Sequence, residues 1–296
     1  MSKSNDNGRA LEARLVEVIT LQNPEIQLIG STPNDQIRDL IHFQALTENQ
    51  KKDFTDFSIR YAQEITVQDI MAIERLKDTA AKQGDVTDIR IIYKDGSIRN
   101  ISLKHNHDAC KHQRPAALIK NQLGIMDKNL DLQYRRELNA IYEAFKAEVL
   151  PEDKEEGVYL FRLVKERNPD LIKNLYHDVC NLVKKYLLEH SDEESIKKYF
   201  KFLVGNITFE KVAVYPKIRT ILIKDFTSVA DATAVVEATI DPNNGHLIVK
   251  FDNNFILDMR LHTASSKFSL TKALSLKFDS VIDMENAPVT LESISF

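Results

Sequence analysis

The 296-residue sequence predicts an α/β or α+β chain with a β-rich C-terminal portion. Three observations lead there. Apolar residues recur at helical spacing early and midway along the chain. Two short extended runs flank Lys94-Asp95-Gly96. From about residue 205 the texture changes to short strand-like segments separated by turn residues.

In order along the chain, Leu11, Leu15, Val18 and Ile19 predict a helix over 8–22, with Asn5 and Asp6 as its caps. Residues 26–31 predict a short strand that ends in a Gly-Ser-Thr-Pro-Asn turn, and 35–82 reads as mainly helical with interleaved charges. Residues 85–104 read as a hairpin. Gly96 suits the left-handed position of a three-residue loop, which pairs Ile92 with Ile98 and Ile89 with Ile101. A slip of one residue would break both aliphatic pairs. Helices are expected over 113–150 and 168–203, joined by the charged loop Pro-Glu-Asp-Lys-Glu-Glu-Gly. Strands are expected at 211–215, 219–224, 233–240, 246–251, 254–262 and 274–278, with Asp-Pro-Asn-Asn-Gly at 241–245 as a turn. The implied division is 1–136 as a core carrying the hairpin and a basic segment, 137–204 as a helical region, and 205–296 as the β-rich portion.

Composition narrows the class. Hydrophobic content of 43% and charged content of 28% are ordinary for a globular chain, whose length allows one large core or two modest ones. No apolar run reaches about eighteen residues, so no membrane span is expected. The polar opening lacks a signal-peptide core. Cys110 and Cys180 carry no pairing pattern and fit a reduced, cytoplasmic setting. Net charge is −4, but residues 90–136 hold ten basic residues against four acidic ones. Such a stripe either binds phosphate or is a solvated face.

The hairpin register has chemical content. It sets Asp88 across from Ser102, with Lys104 two residues further on the same face. A carboxylate holds a divalent cation, and a nearby lysine orients a water or stabilises phosphoryl charge, which is what phosphodiester hydrolysis requires. The plainer reading is an exposed ion pair. Asp85, three residues before Asp88, joins such a site only from an irregular strand start. After Lys104 the run His105-Asn106-His107-Asp108-Ala109-Cys110-Lys111-His112-Gln113-Arg114 is dense in groups that contact phosphates or base edges. The adjacency of His-Asn-His does not match the dispersed motif of HNH nucleases. Neither cysteine has zinc-ligand spacing.

These residues carry a resemblance. Gly84-Asp85-Val86-Thr87-Asp88-Ile89, then Ile101-Ser102-Leu103-Lys104-His105-Asn106-His107, then Lys111-His112 and Arg114, closely resemble the HaeIII family of type II restriction endonucleases. So do the opening Ser4-Asn5-Asp6-Asn7-Gly8-Arg9-Ala10-Leu11-Glu12, the stretch Met259-Arg260-Leu261-His262-Thr263-Ala264-Ser265-Ser266-Lys267, and Ser275-Leu276-Lys277-Phe278-Asp279. Residues 137–200 add nothing to it.

The resemblance implies a PD-(D/E)XK core: a central mixed sheet flanked by helices, with a β-rich C-terminal portion that contacts DNA. It implies Asp88 as the first acidic residue, Lys104 as the final lysine and Glu12 as a helical glutamate aimed at a metal. The alternative for Glu12 is an exposed pair with Arg9 or Arg14. Ser102 stands where the superfamily carries a second acid. Either Glu12 or Asp85 supplies the missing carboxylate, or only one metal binds tightly. The expected catalytic set is therefore Asp88, Lys104, Glu12 and Ser102, and the expected Mg²⁺ ligands are Asp88, Asp85 and Glu12. Expected DNA contacts are His105, Asn106, His107, Lys111, His112 and Arg114, with Arg260, His262, Thr263, Ser265, Ser266 and Lys267 following a strand at 254–259. The implied activity is Mg²⁺-dependent cleavage of double-stranded DNA at a short palindrome, GGCC by resemblance. A cognate methyltransferase is implied as a genetic partner. A palindromic target fits a homodimer, although restriction enzymes also act as monomers. A repair or junction-resolving nuclease, and a non-catalytic DNA-binding protein, are the competing readings.

Overall fold

The structure, a computed structural model, describes residues 3–76, 85–106, 110–205, 208–285 and 287–296. The chain forms two compact units. One comprises Met1–Asp108, Gly205–Val229 and Val289–Phe296, the other Ala109–Val204 and Ala230–Pro288. These units do not coincide with the expected parts 1–136, 137–204 and 205–296.

Helix α1 (Lys3–Gln22) buries Leu11, Leu15 and Ile19 on one face. It begins before residue 8, so Asn5 and Asp6 lie inside it and do not cap it; an acid such as Asp6 in the first turn suits the positive end of the helix dipole. The short strand β1 (Gln27–Leu28) follows, then α2 (Thr32–Gln44). The expected Gly-Ser-Thr-Pro-Asn turn is thus mostly a helix start. Pro33 sits in the first turn, where its missing N–H costs nothing, and Gly30 takes the left-handed φ of 63° just before it. Helix α3 (Glu48–Ala62) opens with a reciprocal Thr47–Gln50 capping box and buries Phe54, Phe57 and Tyr61.

The stretch expected to stay helical instead yields strand β2 (Ile70–Arg75); residues 77–82 of that expectation lie outside the described residues. Ile-Met-Ala-Ile-Glu-Arg has strong helix formers, and here pairing on both sides overrides local preference. Strands β3 (Ile89–Tyr93) and β4 (Ile98–His105) form the expected hairpin in the expected register, Ile89 opposite Ile101 and Ile92 opposite Ile98. Gly96, at φ 84°, closes its turn by donating its N–H to the Tyr93 carbonyl.

Beyond β4 come α4 (Ile119–Gln122), α5 (Lys128–Ala147), β5 (Lys154–Glu155), β6 (Val158–Leu160), α6 (Phe161–Arg167), α7 (Pro169–Glu189) and α8 (Glu193–Val204). Residues 113–118 are not helical: Gln113 bridges to Phe278, and a turn follows from Pro115. Strands β7 (Glu210–Tyr215), β8 (Thr220–Asp225), β9 (Val235–Ile240), β10 (Leu247–Phe251), β11 (Ile256–Thr263), β12 (Lys267–Phe268), β13 (Leu276–Ile282) and β14 (Thr290–Ser295) complete the order.

The first unit is built on a seven-stranded mixed sheet, order β1-β2-β3-β4-β7-β8-β14. Strands β7, β8 and β14 belong to this sheet and not to a separate C-terminal portion. The decisive pairing is β4 with β7, parallel, Ile101 opposite Glu210 through His105 opposite Val214. Helices α1–α3 pack with one face of the sheet. Leu11, Leu15, Ile19, Phe54, Phe57 and Tyr61 share a core with Ile73, Ile89, Ile91, Ile101, Leu103, Val212 and Val214. The second unit has a four-stranded antiparallel sheet, order β13-β11-β10-β9, with α7 packed against β9 and β11, and a small sheet β12-β6-β5. No helix among the described residues is long and apolar enough to cross a membrane.

Candidate active site

Ile101 and Leu103 are buried in the core, so alternation along β4 turns Ser102 and Lys104 to the other face. Asp88 lies just before β3. Its N–H donates to the Ile101 carbonyl at 2.8 Å, and its carbonyl accepts the Leu76 N–H at 3.0 Å. Because β3 starts only at Ile89, the N–H of Leu103 has no strand partner there, and the Asp88 side chain takes its place. Oδ2 accepts from the Leu103 N–H at 2.7 Å, from Lys104 Nζ at 2.9 Å and, weakly, from Ser102 Oγ at 3.4 Å. The Asp88–Lys104 pair is half-buried rather than fully exposed.

Glu12 approaches from α1. Burial, and next the negative charge of Asp88, push its carboxyl up to about 7, against the opposing pull of Arg75 and Lys104. Its partner is neither Arg9 nor Arg14. Arg75, buried at the end of β2, donates from Nη2 to Glu12 Oε2 at 2.9 Å. Arg14 is occupied by Thr55 and Glu17. Asp88, Ser102 and Lys104 are thus in contact, Glu12 feels the charges of Asp88 and Lys104, and Asp85 turns elsewhere. One Asp85 oxygen accepts the Thr87 N–H at 3.0 Å, and the other pairs with Arg90 at 3.0 Å. Arg90 also binds Glu74 and Asn100. No group of three or more metal-ligating side chains forms among the described residues.

The expected DNA contacts divide. His105 falls on the same side of β4 as Leu103 and packs edge-on against Phe54, ring centroids 5.0 Å apart, where burial holds its imidazole below the usual range. Asn106 takes a left-handed φ of 54° and its Nδ2 lies 3.1 Å from His105 Nε2. His107 lies outside the described residues. Lys111, on the second unit, stacks its ammonium over the Phe202 ring at 4.6 Å, and burial lowers its pKa. Arg114 is exposed.

Also on the second unit, β11 and β13 pair antiparallel with Arg260 opposite Asp279 and His262 opposite Lys277. Asp279 is the hub. His262 Nε2 approaches Oδ2 to 2.6 Å and His112 Nδ1 approaches Oδ1 to 2.7 Å, both off the axis of an aligned hydrogen bond; Lys277 lies at 3.3 Å and Arg260 at 3.4 Å. Burial alone would raise the Asp279 carboxyl, but His262, Lys277 and His112 outweigh it and hold it below the ordinary range. Thr263 ends β11, and Ser265, Ser266 and Lys267 are exposed just beyond it. Ser265 Oγ accepts the Lys267 N–H and the Ser266 carbonyl accepts the Phe161 N–H. Arg260, His262 and His112 are among the residues expected at the site from the sequence, whereas Lys277, Asp279 and Arg75 are added by the structure.

A carboxylate–lysine pair on a mixed sheet, with a second carboxylate delivered by a flanking helix, is an arrangement suited to phosphodiester chemistry. A family model for HaeIII restriction endonuclease matches residues 58–284. The chain belongs to that family and is a type II restriction endonuclease, an enzyme that acts on DNA. It is similar to the type II restriction enzyme HaeIII of Haemophilus aegyptius, 24% identical over an alignment of 334 residues that covers 98% of this chain and 96% of the relative. Among solved structures it matches the restriction endonuclease MspI in complex with its cognate DNA, at 13% identity over 82% of each chain and a TM-score of 0.25, too low to define a shared fold.

Proposed function

We propose that this endonuclease hydrolyses double-stranded DNA with Mg²⁺ at a PD-(D/E)XK-like centre formed by Asp88, Glu12 and Lys104, with Ser102 at the position of the superfamily's second acid. The observation that carries the reading is the convergence on Asp88 of Lys104, the Leu103 N–H and the charge of Glu12. Two carboxylates from different elements repel each other there, and a divalent cation beside both would relieve the repulsion. Mg²⁺ takes one or two carboxylates and keeps several waters, so a two-carboxylate site without a third acid fits it. Once bound, Mg²⁺ polarises the phosphate and lowers the pKa of a water.

The chain's own groups do the rest. Asp88 and Glu12 would hold the cation. Lys104, already ion-paired at the site, supplies positive charge toward the phosphate, and Ser102 can hold a water. Asp85, expected as a ligand, serves Arg90 in this reading. Around Asp279, Arg260 and Lys277 supply positive charge and His262 and His112 supply imidazole nitrogens; such a cluster suits phosphate or guanine contact, with Thr263, Ser265, Ser266 and Lys267 beside it. The target expected from the family likeness is the palindrome GGCC. A cytoplasmic location and a cognate DNA methyltransferase as genetic partner accompany this reading, and the palindromic target is open to either a homodimer or a monomer. Digestion of unmodified plasmid with and without Mg²⁺ tests it. Discrete Mg²⁺-dependent fragments ending at one short palindrome are expected, and metal-independent or sequence-independent cutting would sink it.

A further inference from the structure

Three side chains converge on the guanidinium of Arg75. Nη2 donates to Glu12 Oε2 at 2.9 Å and to Asp39 Oδ2 at 2.8 Å, and Nη1 reaches Gln36 Oε1 at 3.4 Å. The Arg75 N–H donates to Thr32 Oγ1 at 2.8 Å. Asp39, fully buried, is also gripped by Arg38, whose Nε donates to Oδ1 at 2.6 Å and whose Nη2 donates to Oδ2 at 2.7 Å, the oxygen shared with Arg75. Charges therefore alternate from Arg38 through Asp39 and Arg75 to Glu12, which interacts in turn with Asp88 and Lys104.

One carboxylate would balance a guanidinium whose task was only to hold the fold. Arg75 has Asp39 for that, and spends the same nitrogen on Glu12 as well. Its backbone position matters too. The next residue, Leu76, donates its N–H to the Asp88 carbonyl at 3.0 Å. The end of β2 thus holds Asp88 by its main chain while Arg75 holds Glu12 by its side chain.

We propose that Arg75 is a positioning residue of the endonuclease, which fixes the carboxylate of Glu12 beside Asp88 and is itself anchored by Asp39 and Arg38. This role rests on reading Glu12 and Asp88 as the cation-binding pair. Lysine cannot replace the guanidinium fully, because a single ammonium does not present the planar fork that engages Glu12, Asp39 and Gln36 together.

The test measures Mn²⁺ binding to the full-length protein without DNA, by calorimetry or electron paramagnetic resonance, with thermal melting as a check on folding. Glu12→Gln and Arg75→Met should each weaken Mn²⁺ binding at least tenfold, and Arg75→Lys by a smaller factor. Combining Glu12→Gln with either Arg75 variant should add nothing to Glu12→Gln alone, because Arg75 acts through Glu12. Losses that multiply would overturn the proposal, as would folded Arg75 variants that bind Mn²⁺ like the native protein. In that last case a clear Glu12→Gln effect leaves the site reading standing and removes only the positioning role. An unchanged affinity in Glu12→Gln overturns both. If Arg75→Met does not fold, Arg75→Lys in the two backgrounds carries the same comparison.

Discussion

The N–H of Leu103 lies 2.7 Å from Asp88 Oδ2, so the strand that presents Lys104 also fixes the carboxylate that Lys104 faces. Asp88, just before β3, joins the sheet's hydrogen-bond ladder through its side chain as well as its main chain. Its carboxylate is thereby set in place before any substrate arrives, which is what precise charge placement at a phosphate demands.

Asp88→Asn keeps the shape and removes the charge. Cleavage should fall at least roughly a thousand-fold, the equivalent of about 4 kcal/mol of lost transition-state stabilisation. Binding to uncut duplex should persist. Single-turnover cleavage with Mg²⁺ and a gel shift without it separate the two, and near-native cutting would move the centre away from Asp88.

Ser102→Ala should be mild. Its contact with Asp88 is long at 3.4 Å, and two better donors remain. A loss below about tenfold is expected, in line with roughly 1 kcal/mol for one ordinary hydrogen bond. A loss as deep as that of Asp88→Asn would make Ser102 an essential group.

Arg260→Ala should weaken binding to the cognate duplex by about 1–3 kcal/mol, the usual worth of a specific Arg contact. Arg260 is exposed and only loosely held by Asp279. Fluorescence anisotropy against cognate and scrambled duplexes checks this, and unchanged affinity for both would take Arg260 off the recognition surface.

Acid should destabilise the second unit through His112. Burial, and then the neighbouring Lys277, hold its imidazole below the ordinary value despite Asp279 and the Phe278 carbonyl. The unfolded chain therefore takes up the proton first, and stability falls as pH drops below about 6.5 toward the folded pKa. Asp279, held low, adds its loss only further down, below the ordinary carboxylate value of about 4. Melting temperature should fall between pH 7.5 and 5.5, and fall less in His112→Asn. Parallel slopes for the two proteins would contradict this account.

Gly124→Ala should cost at least about 2 kcal/mol. Gly124 has φ 72°, and an added Cβ would meet the Ser195 carbonyl at 2.2 Å and Lys198 Cβ at 2.8 Å, so α8 would have to move. Urea unfolding measures it, and a change under 0.5 kcal/mol, the ordinary scale of a surface substitution, would mean that the loop before α5 yields freely.

What could be read from the sequence was local. The β3–β4 hairpin was legible because turn chemistry and aliphatic pairing act over twenty residues, and Asp88, Ser102 and Lys104 came with it. His105 could have been placed by the same alternation, since it shares a side with Ile101 and Leu103 and so meets Phe54. Arg75 was not legible. Its strand carries helix-forming residues, and only pairing with β1 and β3 makes it extended. Asp279 and Lys277 lay within a family motif, but their role needed the β11–β13 register that sets them opposite Arg260 and His262. The assignment of β7, β8 and β14 to the first sheet likewise depends on contacts that no local pattern encodes.

The parallel pairing of Ile101 with Glu210 has a consequence for timing. As the chain leaves the ribosome, the hairpin with Asp88 and Lys104 emerges roughly a hundred residues before β7, which at 5–20 residues per second is a lag of roughly 5–20 s. Until then one edge of β4 has no neighbour and the sheet is incomplete. The centre proposed at Asp88 and Lys104 is therefore completed only late in translation, a built-in delay between synthesis of the hairpin and completion of its sheet.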